Sequence, residues 1–274
     1  MDPKKHKIGY DRPIEIADNI FWLGFHETTT NFHCNPYLIK EGNQAVVIDA
    51  GSRPDFAVVM MKILQTGISP DNIVALIYQH IDPDLCGSLS NMIDICANPE
   101  LKVLSESQNN MFISYYIERD KRSMLKSIDD YSAGFLFGGR MLEFFKTPYA
   151  HDAGSFVTRD GKTKTLFTSD LFGSLSKQWE LSVDLTDDCY TCRDYSHCIH
   201  LKEYCPIPDI LEFHKKIMPS EKALENAMNV IGRLDIDMIA PQHGSIFLKK
   251  RDINFLIERL KTLKAVGIDG IIKK

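Results

Sequence analysis

Residues 78–87 read YQHIDPDLCG and set His80, Asp82 and Asp84 on alternate positions, with Leu85 directly after them. The preceding run, NIVALIY (72–78), is apolar and rich in branched residues, the pattern of a buried strand. The strand therefore ends where the polar residues begin. Pro83 is expected to keep a helix from starting at once, and LCGSLSNMIDICA (85–97) then has a helical pattern. Loops leaving the ends of core strands are where rigid scaffolds present chemistry. On this segment alone, an acidic turn with a stray histidine fits as well as a metal loop.

Working outward, strand-like runs open the chain: IEIADNIFWLG, NPYLI and AVVIDAG, followed by the helical DFAVVMMKILQ. A short strand KVLSE follows the helix after Leu85, and residues 107–132 read as polar and helical. GRMLEFFKTPYA is expected to be a strand leading into a loop. SFVTRDGKTKTLFTSD is expected to be a hairpin turning at Asp160-Gly161. Residues 207–233 are helical in pattern, DMIAPQHGSIF gives another strand and loop, and INFLIERLKTLKAVG a last helix. Two groups of strands, each with its own helices, predict an α/β fold: a helix–sheet–sheet–helix sandwich in one domain spanning 1–274. No linker, low-complexity tract or solenoid-length repeat interrupts it.

Three later loops repeat the character of the first. TPYAHDAGS carries His151 beside Asp152, TLFTSDLFG carries Asp170, and IAPQHGS carries His243. Each follows an apolar run and has a glycine one to three residues later, which suits close backbone approach. Singly, each has an ordinary account: a turn cap, a helix start, a surface histidine. Their recurrence in this order is what points to a site.

Composition narrows the function classes. The 274 residues are 44% hydrophobic and 25% charged, ordinary for a globular chain. A net charge of −5 provides no footprint for nucleic acid or an anionic membrane. The N-terminus lacks a secretory apolar stretch and no run is long enough to span a bilayer, so the expectation is a cytoplasmic protein. Seven cysteines, odd in number and unevenly spread, favour reduced thiols or metal ligands over a disulfide framework.

With the loops in hand, the chain resembles the metallo-β-lactamase superfamily from AVVIDAG, with Asp49, to the terminal helix. Hydrolases of that superfamily usually show His-x-His-x-Asp-His in the first loop, where this chain has His80-x-Asp82-x-Asp84-Leu85. A carboxylate at the second position, together with SDLFG and IDMIAPQHGSIF, is closer to the flavodiiron branch. The resemblance implies an αββα sandwich with one metal on His80, Asp82 and His151. It puts the other on Asp84 and His243, with Asp170 bridging. It implies two irons, oxo- or hydroxo-bridged when oxidised. At Leu85 the motif's final histidine is missing, which leaves the second metal open. Independently of family, mixed histidine and carboxylate sets with open positions are typical of non-haem iron handling oxygen, although zinc or manganese also fits such ligands. His26 and His33 are candidates for hydrogen bonds to ligands, Asp49 for support of the loop, and Cys86 for a small buried residue at a helix start.

Only 31 residues follow His243, too few for the flavodoxin-like unit of flavodiiron proteins, so no FMN is expected in this chain. That combination resembles the oxygen-binding di-iron proteins, associated with oxygen sensing and chemotaxis signalling in anaerobes. Dioxygen and a signalling protein are the partners this implies, with a homodimer as the assembly to test. Two other classes stay open: a di-iron reductase of oxygen, peroxide or nitric oxide fed by a separate donor such as rubredoxin, and a zinc hydrolase.

One segment is not explained by the resemblance. CYTCRDYSHCIHLKEYC (189–205) spaces Cys189, Cys192, Cys198 and Cys205 as C-x2-C-x5-C-x6-C, with His197 and His200 between them. A zinc or iron–sulfur site, a redox dithiol and plain packed thiols all remain open there.

Overall fold

Alternation of buried residues along the strands explains how the chain builds its layers. The computed structural model describes residues 9–25, 32–176, 179–192 and 205–272. In order these form β1 (Ile14–Ala17), β2 (Ile20–Trp22), β3 (Tyr37–Glu41), β4 (Gln44–Ile48), α1 (Phe56–Gln65), β5 (Ile73–Ile77), α2 (Pro83–Cys86), α3 (Leu89–Cys96), β6 (Lys102–Ser105), α4 (Ser107–Ile113), β7 (Leu125–Ser127), β8 (Phe135–Phe137) and β9 (Arg140–Lys146). They continue with β10 (Phe156–Asp160), β11 (Thr165–Phe167), α5 (Asp187–Thr191), α6 (Pro206–Ile217), α7 (Glu221–Ile231), β12 (Met238–Ala240), α8 (Lys250–Lys261) and α9 (Ile268–Ile271).

Strands β1 to β7 form one sheet in sequence order, antiparallel as far as β4 and parallel from β4 onward. The second sheet runs β12-β11-β10-β9-β8, with only the β11–β12 pair parallel. Along β4, Ala45 and Val47 face a helix-side layer with Val59 and Ile63 of α1, while Val46 and Ile48 face the other sheet. Along β11 and β12, Phe167 and Ala240 point into the inter-sheet layer, and Leu166 and Ile239 against α6, α7 and α8. A period of two on each strand thus feeds three apolar layers, the αββα sandwich expected. Tyr37 and Phe167 meet between the sheets with ring centroids 5.1 Å apart. Each such fully buried large side chain contributes on the order of 1.5–3 kcal/mol.

Two local expectations need correction. Pro83 does not delay the helix but opens α2, since the first helical position has no partner for the N–H that proline lacks. Residues 107–132 are not one helical stretch: α4 ends at Ile113, short 3-10 turns follow, and Leu125–Ser127 adds β7 to the sheet edge. The strand expected before the His151 loop forms as β9, and it pairs with β8 in a hairpin joined by Gly138 and Gly139. The helical pattern over 207–233 is borne out by α6 and α7, separated at Met218-Pro219-Ser220, where Ser220 caps α7 by accepting from Ala223 N.

Parallel pairing aligns the ends of β11 and β12, and antiparallel β10 brings the β9–β10 loop to the same end. Just beyond β5, Phe156 N donates to Gln79 O (3.3 Å), which joins that edge to the first sheet. No helix among the described residues is long and apolar enough to cross a membrane.

Candidate metal centre

The first loop is fixed from below before it presents any ligand. Asp49, left-handed at the end of β4 with φ +52°, accepts hydrogen bonds from Gln79 N (3.1 Å) and Gln79 Nε2 (3.3 Å). That bracing places the next residue, His80, which agrees with the supporting role expected of Asp49. The His151 loop is tied to the first loop where Asp152 Oδ2 accepts from Ile81 N at 3.2 Å. Gly154 lies so close to Asn109 that a Cβ there would sit 2.2 Å from Asn109 Oδ1, so no larger residue fits this turn. At the fourth loop, Gly244 has φ +78° and leaves room for Ser174.

On this frame the six candidate residues converge. His80 Nε2 lies 3.7 Å from Asp82 Oδ2 and 3.7 Å from Asp170 Oδ1. His151 Nε2 lies 3.4 Å from Asp82 Oδ2 and 3.0 Å from Asp170 Oδ2. His243 Nε2 lies 3.2 Å from Asp84 Oδ2 and 3.6 Å from Asp170 Oδ1. Two groups with metal-binding geometry result: His80, Asp82, His151 and Asp170 in one, and Cys34, Asp84 and His243 in the other. Asp170 reaches histidines of both.

Two of the imidazoles are held from behind by hydrogen bonds, so that their Nε2 atoms face inward. His80 Nδ1 meets Ser169 Oγ at 2.6 Å, and His243 Nδ1 donates to the His33 carbonyl at 2.8 Å. The turn carrying Asp170 is fastened by His214, whose Nε2 accepts from Phe172 N at 3.0 Å while Nδ1 donates to Ile210 O at 2.7 Å.

Charge follows this packing. Burial, the largest influence on Asp170, works against its ionisation, yet the imidazoles of His80, His151 and His243 outweigh it and hold the carboxyl well below the usual range. The imidazoles of His151 and His80 beside it hold Asp82 well below that range too. Burial opposes a charge on His151, but Asp170 and Asp82 push it up to about 10. His80 and His243 are raised in the same way against burial, His80 by Asp170 and Asp82, and His243 chiefly by Asp84.

The donor set suits metal better than protons. His80 Nε2, His151 Nε2 and Asp170 Oδ1 are buried with no hydrogen-bond partner. Each such atom costs about 1–3 kcal/mol unless something satisfies it. Carboxylates and imidazoles aimed at a shared space provide what two divalent or trivalent ions need.

Other sequence candidates fall elsewhere. Leu85 is fully buried in the helix-side apolar cluster. Cys86 is buried at the end of α2, its Sγ 3.6 Å from the His80 carbonyl. The His33 ring turns away to Ser176 O (2.9 Å) and stacks on Trp179 at 4.9 Å, so this residue serves His243 through its backbone. Cys189 packs with Leu185 and Ile207, with Thr186 Oγ1 3.3 Å from its sulfur. The metal-competent groups among the described residues do not include Cys189, Cys192 or Cys205. Cys198, His197, His200 and His26 lie outside the described residues. Cys34, Ser169 and His214 were missed in the sequence, since a lone cysteine, serine or mid-helix histidine carries no spacing signal.

Comparisons with known proteins agree with this arrangement. The family described as "ODP family beta lactamase" matches residues 32–244, and the chain belongs to that family. It is 25% identical over 257 residues to the uncharacterized protein MJ0732 of Methanocaldococcus jannaschii, covering 90% of this chain and 59% of that protein. It is 24% identical over 253 residues to the flavo-diiron protein FprA2 of Clostridium acetobutylicum, covering 86% of this chain and 58% of that one. The chain thus spans little more than half the length of these curated relatives. A structure described as the peroxy diiron species of chemotaxis sensor ODP superposes with a TM-score of 0.72 at 22% identity, covering 95% of this chain and 98% of that chain.

Proposed function

We propose that this member of the ODP family is a non-haem di-iron protein that binds dioxygen and acts as an oxygen sensor read by a signalling partner. The observation that carries the reading is Asp170, one buried carboxylate facing His80 and His151 on one side and His243 on the other. A shared carboxylate between two ligand groups is what a dinuclear centre requires. In this reading His80, Asp82 and His151 hold one iron, Asp84 and His243 the other, and Asp170 bridges. Bound iron would supply reversible one-electron chemistry and an open position for a diatomic ligand. The chain's part is to fix the ligands: Ser169 orients His80, the His33 carbonyl orients His243, and His214 holds the Asp170 turn. The end-to-end likeness to a chemotaxis sensor chain favours sensing. The likeness to a flavo-diiron protein favours a second reading, a reductase fed by a separate electron donor such as rubredoxin.

Metal analysis of protein purified anaerobically from iron-replete cells tests both. Two irons per chain, and a near-ultraviolet absorption change on oxygen exposure that reverses slowly, are expected. A stoichiometric zinc pair with hydrolytic activity would sink the iron reading. Rapid, repeated oxygen consumption with a generic reductase would replace the sensor by the reductase.

A further inference from the structure

We propose that Cys34 is a protein ligand to the second metal, its thiolate standing in for the ligand that Leu85 does not provide. The inference rests on the two-metal reading above and goes beyond it by naming a sulfur donor.

Position is the first argument. Cys34 Sγ lies 3.8 Å from Asp84 Oδ2, and His243 Nε2 lies 3.2 Å from the same oxygen. Donor atoms of all three residues fall within 4.8 Å of one another. Metal–sulfur bonds of about 2.3 Å and metal–nitrogen or –oxygen bonds of about 2.0–2.1 Å give ligand edges of roughly 3–3.5 Å. The His243–Asp84 separation already falls in that range, and the Cys34–Asp84 separation exceeds it by a few tenths of an ångström.

Surroundings are the second. Cys86, Cys96 and Cys189 pack within apolar clusters, as buried free thiols ordinarily do. Cys34 is 5% exposed yet belongs to no such cluster among the described residues; its sulfur faces a carboxylate and an imidazole instead. Asp170 Oδ1, buried and without a hydrogen-bond partner among the described residues, lies 3.6 Å from Nε2 of the same imidazole. An ion among Cys34, Asp84, His243 and this oxygen would satisfy that lone atom.

Rigidity is the third. The segment carrying Cys34 is fastened to the loop carrying His243. His33 O accepts from His243 Nδ1, Asn35 N donates to Gln242 O at 2.8 Å, and Asn35 Nδ2 donates to Pro241 O at 3.0 Å and Gly244 O at 2.9 Å. The sulfur and the imidazole are therefore positioned by one network.

On coordination the S–H bond breaks, the metal–sulfur bond forms, and the proton leaves to solvent; no electron is transferred. Coordinated thiols are deprotonated. Thiolate, Asp84 and a share of Asp170 together offset the charge of the ion.

Cobalt(II) reports thiolate directly. The full chain is first changed to serine at Cys189, Cys192, Cys198 and Cys205, leaving Cys34, Cys86 and Cys96. Titrated with cobalt, it should take up two equivalents, and a near-ultraviolet sulfur-to-cobalt band should accompany one of them. Cys34→Ser should remove the band and weaken that equivalent at least tenfold, the smallest loss expected even of an outer partner. Cys86→Ala should keep the band. X-ray absorption on the unsubstituted Cys34 protein needs no folding of a variant, and should show a sulfur neighbour at about 2.3 Å. Two bound cobalts with no sulfur neighbour, or a band that survives Cys34→Ser, overturn the inference alone. Fewer than two bound cobalts overturn the two-metal reading beneath it.

Discussion

Strands β9 and β10 carry a buried charged cluster at each end. At one end Arg140, fully buried, pairs with Asp160 through Nε (2.7 Å) and Nη2 (2.8 Å), and its Nη1 donates to the carbonyls of Asp18 (3.0 Å) and Lys40 (3.1 Å). Asp160 also accepts from Thr163 N and Oγ1. Burial opposes its charge, but Arg140 and Thr163 hold the carboxyl below its usual range. At the other end, the loop joining the same strands delivers His151 to Asp82 and Asp170, where Nε2 and Oδ1 atoms are buried without partners. Both clusters bury carboxylates beside cationic groups. One is completed by the chain itself, and the other by something the chain must take up. The difference between a structural and a functional buried charge lies in that completion.

The largest test of this contrast is Asp170→Ala. Removing the one carboxylate that faces both groups should lower iron from two per chain to less than one. It should also abolish the rise in melting temperature that metal binding to the native state produces. Elemental analysis and thermal scans with and without iron check it; retention of both irons would show that the two groups do not share this residue.

Next in size is Arg140→Met, which strands the Asp160 carboxylate. The expected cost is about 3–5 kcal/mol in urea unfolding, with metal content per folded chain unchanged. The double change Arg140→Met with Asp160→Leu should recover most of the loss. A drop in metal content would mean that the ends of the hairpin are coupled, and the contrast would fail.

The smallest effect concerns His214, a buried neutral imidazole with both nitrogens hydrogen-bonded, lowered to about 4 mainly by burial. Because the unfolded chain binds its proton at about 6.5 and the folded chain only near 4, stability is full above 6.5 and falls as pH drops towards 4. The loss should amount to about 3 kcal/mol. His214→Gln, which can still accept from Phe172 N, should flatten that fall in metal-free protein. An unchanged slope would place the acid sensitivity in the metal ligands instead.

Much of this was legible in the residues. Unbroken apolar runs in AVVIDAG, TLF and MIA announced strands that bury both faces, and the layers follow from them. His80, Asp82, Asp84, His151, Asp170 and His243 could be named as candidates because each lies in a segment that follows a strand end. Residues 107–132 were illegible because polar residues at mixed spacing suit turns and helix alike, and only pairing of Leu125–Ser127 with β6 chose a strand.

By itself, then, the sequence determined the layering and the kinds of side chain offered at the strand-end loops, since both rest on patterns and side-chain chemistry carried by local stretches. Tertiary structure alone decided which atoms meet: that Asp170 faces both groups, that Leu85 joins the core, and that Cys34, 50 residues before Asp84, comes within 3.8 Å of its carboxylate. Such meetings depend on hydrogen bonds between distant segments, as between Asn35 and Pro241, and no local pattern encodes them.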